Sequence, residues 1–289
     1  MTTLDEPPTD RIARTDTAPR PRVPRRRRNL RRHALPVWSG LVILWLFIPI
    51  FAMIAYGFND NPNRINFEWK GFTLRWYREL FAIDDLTTAL VNSLTIAVIV
   101  TVISTVLGTF IGLALGRYKF RGSGSVSLLM FANIAAPEVV LGASLLSLFL
   151  TAGVPRGYLT IVLAHVMFSL AYVAITVRAR VAGADPSLEE AARDLGAGPI
   201  TTFRKVTLPT IMPGVMAGAL LAFALSIDDF IITNFNNGST LTFPIWVYQQ
   251  ARKTGGSVPQ QVNVMGTMIF FFGIALAVAG AIYNRRKKV

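Results

Sequence analysis

Three carboxylates stand in otherwise uncharged, apolar stretches of this sequence: Glu138 and the adjacent pair Asp228 and Asp229. No lysine or arginine lies in the same stretches. An aspartate at the centre of a lipid-buried helix costs about 2.5–3.5 kcal/mol. Such acids therefore face water, pair across subunits or meet a cation, unless protonation or hydrogen bonds satisfy them; Ser144, Ser226 and Asn133 are the local candidates. A path for a cation is the chemistry that all three together support best. Covalent chemistry has little material. The chain has no cysteine and only two histidines, His33 and His165, which excludes disulfide scaffolds, thiolate metal sites, thiol catalysis and multi-histidine metal sites. A serine protease built on Ser144 and His165 lacks a G-x-S-x-G elbow. No G-x-x-x-x-G-K-[ST] loop occurs, so the chain does not cradle nucleotide in that way.

The elements that must position these acids follow from the gaps between charges. The 289 residues are 52% hydrophobic and only 16% charged, with mean hydropathy +0.47 and net charge +13; a soluble domain is about 25% charged. A bilayer core about 30 Å thick needs about 20 apolar residues in a helix. Six segments meet that length, near 37–57, 89–115, 126–150, 159–177, 211–232 and 263–283. Their continuous apolarity predicts helices rather than barrel strands. The expectation is an all-α integral membrane protein with six transmembrane helices.

Of the 29 lysines and arginines, 22 fall on one set of connecting segments and seven on the other. The positive-inside rule then places both termini in the cytoplasm, in a multi-pass protein of a bacterial cell membrane. The positive charge is topological, and no nucleic-acid partner is expected. Residues 1–34, rich in proline and arginine, read as a disordered cytoplasmic tail able to meet anionic lipid. Arg27-Arg28-Asn29-Leu30 faintly resembles a twin-arginine export signal, but the long apolar run after it predicts a retained anchor. Residues 35–284 form the permeation domain, and 285–289 a basic cytoplasmic end. Small-residue stripes at Gly108, Gly112 and Gly116, and at Gly214, Gly218 and Ala222, predict close helix packing.

The longest inner connection, 185–209, is patterned. Ser187 and Glu190 have the spacing of a capping box, Gly196 stands where a left-handed cap is wanted, and Pro199 opens a second short helix. Pro209 is expected to end the segment. A helix, a glycine turn and a second helix at the membrane face follow.

Here the sequence resembles a known family. Glu190-Ala191-Ala192, then Gly196, then Leu208-Pro209 matches the EAA loop of bacterial ABC importer permeases. The resemblance implies the type I importer permease fold, with this loop as the coupling helix that seats on an ATPase dimer. It also implies a second permease subunit, an extracytoplasmic solute-binding protein and a lipid bilayer as partners. No cofactor is expected on this chain itself, with ATP and magnesium used by the ATPase. Pro137-Glu138-Val139, Val177-Arg178-Ala179-Arg180 and Ser226-Ile227-Asp228-Asp229 are similar to the spermidine/putrescine branch, over roughly residues 35 to 285. In that branch acidic and aromatic residues line the cation path, which transfers to Glu138, Asp228 and Asp229. Trp45 and Trp38 offer cation–π faces for the same path. On a continuous helix Asp228 and Asp229 point about 100° apart, so one of them faces the path. Phe243-Pro244-Ile245-Trp246-Val247-Tyr248 reads as an interfacial or gate helix. Permeases for iron(III), an aminophosphonate or an amino-acid-derived solute, and an ATP-independent cation channel or carrier, are the alternatives.

Overall fold

A computed structural model of the chain describes residues 30–61, 68–255 and 258–286. Residues 1–29, which hold most of the expected tail, lie outside them. The elements, in order, are α1 (Leu30–Tyr56), α2 (Arg75–Arg78), α3 (Asp84–Arg117), α4 (Ser123–Ala135), α5 (Glu138–Thr151), α6 (Tyr158–Ala182), α7 (Ser187–Asp194), α8 (Pro199–Thr202), a π-helical stretch (Phe203–Thr207), α9 (Leu208–Ile227), α10 (Ile231–Asn236), α11 (Phe243–Lys253) and α12 (Gln260–Arg286). Among the described residues the only strand-like pairing is an isolated antiparallel bridge between Asn59 and Phe72.

The chain divides into two units, Met1–Ile48 and Pro49–Val289. The described part of the first is the N-terminal portion of α1, whose apolar side chains from Leu35 to Ile48 are exposed, as lipid-facing residues are in a chain considered alone. In the second unit α3, α6 and α9 pack on one another as the central layer. Val173, Val177 and Val181 of α6 meet Ile211, Val215 and Ala222 of α9, with Leu113 of α3 against them. The glycine stripe on α3 explains how the backbones come so close. A Cβ at Gly112 would stand 2.5 Å from the Ala174 carbonyl oxygen and 2.9 Å from Val177 Cβ. Nothing larger than glycine fits there without moving α6. A second cluster joins the other end: Trp76 and Leu80, Leu86 and Ala89 of α3, Trp246 of α11, and Val264 and Met265 of α12. The expected gate or interfacial segment is thus a helix, α11, with its tryptophan buried in that cluster.

Two expected spans are interrupted. The segment expected as one helix over 126–150 is α4 and α5, bent by 111°. Pro137 is the cause. It has no N–H to donate and excludes the preceding residue from helical geometry, and Ala136 is accordingly extended (φ −71°, ψ 136°). The fifth span begins earlier and ends sooner than 211–232. Helix continues from Pro199 through the π-helical stretch to Ile227, where the Leu208 N–H reaches back to the Phe203 carbonyl. Pro209 therefore does not end the segment. It lies in the first turn of α9, where a missing N–H is tolerated. Among the described residues five helices are long and apolar enough to cross a membrane, and six crossings result where the bent pair counts as one broken span.

Candidate functional site: a helix break with an acidic cavity, and a capped loop

The α9–α10 break is built around a buried imidazole. His165, on α6, is 2% exposed. Its Nδ1 lies 2.8 Å from Ser226 Oγ on the last turn of α9. Its Nε2 lies 2.9 Å from Thr233 Oγ1 and 3.2 Å from Asp229 Oδ2. Asp229 Oδ2 also accepts the Thr233 backbone N–H at 2.7 Å and the Thr233 hydroxyl at 2.8 Å. The Asp229 side chain is 5% exposed and fully engaged. A carboxylate that accepts backbone N–H groups competes with helix continuation and starts a new helix instead, which is why α9 stops here and α10 begins. The two aspartates are consequently not neighbours on one helix, as expected from the sequence, but both lie in the break between α9 and α10. One consistent proton arrangement runs from the Ser226 hydroxyl to Nδ1 and from the Nε2 hydrogen to Thr233 and Asp229. Although serine, histidine and aspartate meet here, the buried Ser226 hydroxyl leaves no room for a scissile carbonyl, and Ser144 is elsewhere and exposed.

Asp228 takes the opposite direction. It is exposed and lines an open cavity of about 500 Å³ with Phe230, Phe243, Val247, Tyr248, Asn263, Met53 and Ile269. The Phe230 and Tyr248 rings are 4.6 Å apart, with Arg252 5.7 Å from the Tyr248 ring centroid. Asp228 is the C-cap of α9, the end at which helix carbonyls concentrate partial negative charge. A second negative group at that end favours a cation in front of it. One carboxylate, aromatic faces and aliphatic walls together suit an ammonium group on an alkyl chain.

Glu138 opens α5 immediately after the Pro137 bend. At a helix N-terminus a carboxylate is favourably placed. The two breaks are held together where α5 packs on α10, with the Asn236 amide donating to the Gly142 carbonyl at 3.4 Å. Of the other polar candidates, Asn133 donates to the Met167 carbonyl at 3.0 Å. Trp45 and Trp38 are each 69% exposed in the first unit. No cluster of three or more metal-ligating side chains exists among the described residues.

The loop at 185–209 is equally well determined. Its start differs from the expected capping box. Asp185, not Ser187, is the cap, its Oδ1 accepting the Ser187 N–H at 2.9 Å, and Ser187 begins α7. The end is as expected. Gly196 adopts φ +83°, its N–H donates to Arg193 and the Ala197 N–H to Ala192, the paired bonds of a Schellman cap. Glu190 and Ala191 are exposed and Ala192 is half-buried; Leu208 packs into the α6–α9 cluster and Pro209 is exposed. Leu195 and Ile200 are 90% and 78% exposed, an apolar face left uncovered by the described residues.

The residue that anchors the loop is one the motif did not single out. Glu189 Oε1 lies 2.6 Å from Arg117 Nη2, at the end of α3, and accepts the Thr207 hydroxyl at 2.8 Å. Burial pushes the Glu189 carboxyl up, but the Arg117 and Thr207 bonds outweigh it and hold the group below its ordinary value. The stabilisation from a lowered carboxyl pKa is complete above the ordinary glutamate range and fades as pH falls through the folded value. Protection of the α7 amides, taken relative to their intrinsic exchange rate at each pH, is therefore expected to fall in acid. In Glu189→Gln their exchange is expected to be about tenfold faster at neutral pH, equivalent to ~1.4 kcal/mol. Exchange unchanged by the substitution would show that the anchor lies elsewhere.

The family described as "Binding-protein-dependent transport system inner membrane component" matches residues 104–288. The chain is 37% identical over 247 residues to the spermidine/putrescine transport system permease protein PotC of Haemophilus influenzae, covering 85% of this chain and 94% of that protein. It is 38% identical over 244 residues to the putrescine transport system permease protein PotI of Escherichia coli, covering 80% and 85%. Among solved structures, a bacterial ABC transporter that imports the acidic polysaccharide alginate superimposes with TM-score 0.60 at 16% identity, over 89% of this chain and 95% of that chain. The MetNI methionine ABC transporter does so with TM-score 0.58 at 18% identity, over 70% and 95%.

Proposed function

The chain belongs to the family of inner membrane components of binding-protein-dependent transport systems, and on that basis we propose that it is the permease subunit of an ATP-driven importer of polyamines such as spermidine and putrescine. The observation that carries the cargo is Asp228, a carboxylate without a salt bridge among the described residues, set in an aromatic and aliphatic cavity at the C-terminal end of α9. A polyamine presents ammonium groups separated by methylene runs, and this cavity offers a partner for each. Iron(III) needs several hard oxygen ligands, and an aminophosphonate would meet a carboxylate with its own negative charge. Glu138 lies on the same route, with Asp229 beside it.

The same reading assigns the partners. A solute-binding protein delivers cargo outside the membrane, and a second permease chain completes the pathway. ATP and its magnesium ion are bound and hydrolysed by an ATPase pair inside, on the side of both termini. The ATPase takes hold of Glu190, Ala191 and Ala192 and the apolar face of Leu195 and Ile200, with Gly196 giving the turn and Leu208-Pro209 leading into α9. Support comes from the exposure of Glu190, Ala191, Leu195 and Ile200 and from the Glu189 anchor, which ties the loop to the end of α3 and to Thr207, just before α9.

The test is uptake of radiolabelled spermidine into liposomes holding the complete complex, with ATP inside and binding protein outside. ATP-dependent accumulation, absent when this chain is reconstituted alone, is the expected result. Transport by the isolated polypeptide, or a complex that accumulates an anionic solute and no spermidine, overturns the reading.

A further inference from the structure

The geometry points to His165 as a positioning residue: it locks the α9–α10 break so that Asp229 is held inside the protein and Asp228 alone is presented to the cavity. This rests on the polyamine reading for its consequence, but its evidence is independent of cargo. One imidazole from α6 touches both sides of the break and the break itself: Ser226 on the last turn of α9, Thr233 on the first turn of α10 and Asp229 between them. The Phe230 carbonyl is held by the Asn234 N–H of α10 at 2.9 Å; without the imidazole bridge the two residues before it, Asp228 and Asp229, would have more ways to turn. With it, the ring fixes the distance between Ser226 and Thr233, and Asp229 is saturated by two donors from Thr233 in addition to the imidazole.

The division of labour between the paired acids follows. Asp229 is enclosed and serves as the acceptor that ends one helix and opens the next. Asp228 has no such partners and stands exposed beside Phe230 and Tyr248. His165 touches neither the cavity nor its contents. It acts on transport by setting the direction of a side chain on another helix, and a change at His165 reads out at Asp228.

The chain contains no native cysteine, so an Asp228→Cys variant carries the subunit's sole thiol. In the purified full complex, that variant is treated with trimethylammonium-ethyl methanethiosulfonate, and modification of this chain is followed by mass. Adding His165→Ala or Thr233→Val is expected to slow modification at least tenfold, and His165→Gln, which keeps a donor and an acceptor, to stay within threefold of the parent. In uptake assays on the chain with Asp228 intact, His165→Ala is expected to raise KM for spermidine with Vmax kept within twofold. Combined with Asp228→Asn it adds no further loss, as expected for residues acting through one another. If His165→Ala fails to assemble with its partners, the near-isosteric Thr233→Val and Ser226→Ala carry the same measurement. Modification within twofold of the parent in these variants overturns the proposal, as does a loss additive with Asp228→Asn. Labelling needs no transport, so a complex that moves no spermidine sinks the functional reading and leaves this one to be decided by the thiol.

Discussion

Asp228→Asn, in an otherwise unchanged complex, is expected to lower the efficiency of spermidine uptake by about 30- to 100-fold. Removing one partner of a close, desolvated charge pair costs about 2–5 kcal/mol, and each ~1.4 kcal/mol is a factor of ten. The lower part of that range applies because the cavity is open and water reaches the carboxylate. Asparagine keeps the shape and one acceptor, so the loss reports charge. The effect is expected in KM, with substrates carrying fewer ammonium groups less affected. Uptake within threefold of the parent would remove Asp228 from the path. A fall in Vmax alone, with KM unchanged, would move its role from holding cargo to the conformational step.

Charging the face of the loop is expected to be still more damaging. The double change Leu195→Glu and Ile200→Glu places two carboxylates where the described residues have their two most exposed large apolar side chains. Apolar anchors at a protein interface are surrounded by desolvated contacts, and a charge there has no partner. The ATPase is expected to be lost on copurification and uptake to fall to background, while the chain still inserts and keeps its fold, since neither side chain packs against α3, α6 or α9. Retained copurification would place the ATPase contact on another surface. A smaller effect is expected from Glu190→Ala, because a solvated glutamate has less to lose.

The membrane architecture was legible because charge-free length is dictated by bilayer thickness, and no tertiary contact is needed to read it. The loop's C-terminal cap was legible for a similar reason: Gly196 after a short polar helix has few other uses than a positive φ. The bend at Pro137 had its signal in the sequence, but one proline in an apolar run gives no bend angle, and the run reads as a single helix by length. The cap at Asp185 competed with an equally good capping pattern two residues on. What no local pattern holds is contact between distant elements. Arg117 and Glu189 lie far apart in sequence, and the same is true of His165 and Asp229. The two aspartates therefore read as equivalent, whereas α6 engages one and leaves the other to the cavity.

Between the loop and the cavity runs a single helical body, Pro199–Ile227, 29 residues long and hence about 43 Å from end to end. A helix is stiff in compression, so an axial push delivered at Pro199 arrives at Asp228 with no relay of side chains. It carries two irregularities, the wider turn at Phe203–Thr207 near the loop and Pro213 inside α9. A push applied at the loop would therefore lose some of its travel at those two places, and what remains would be felt first at the acidic cavity.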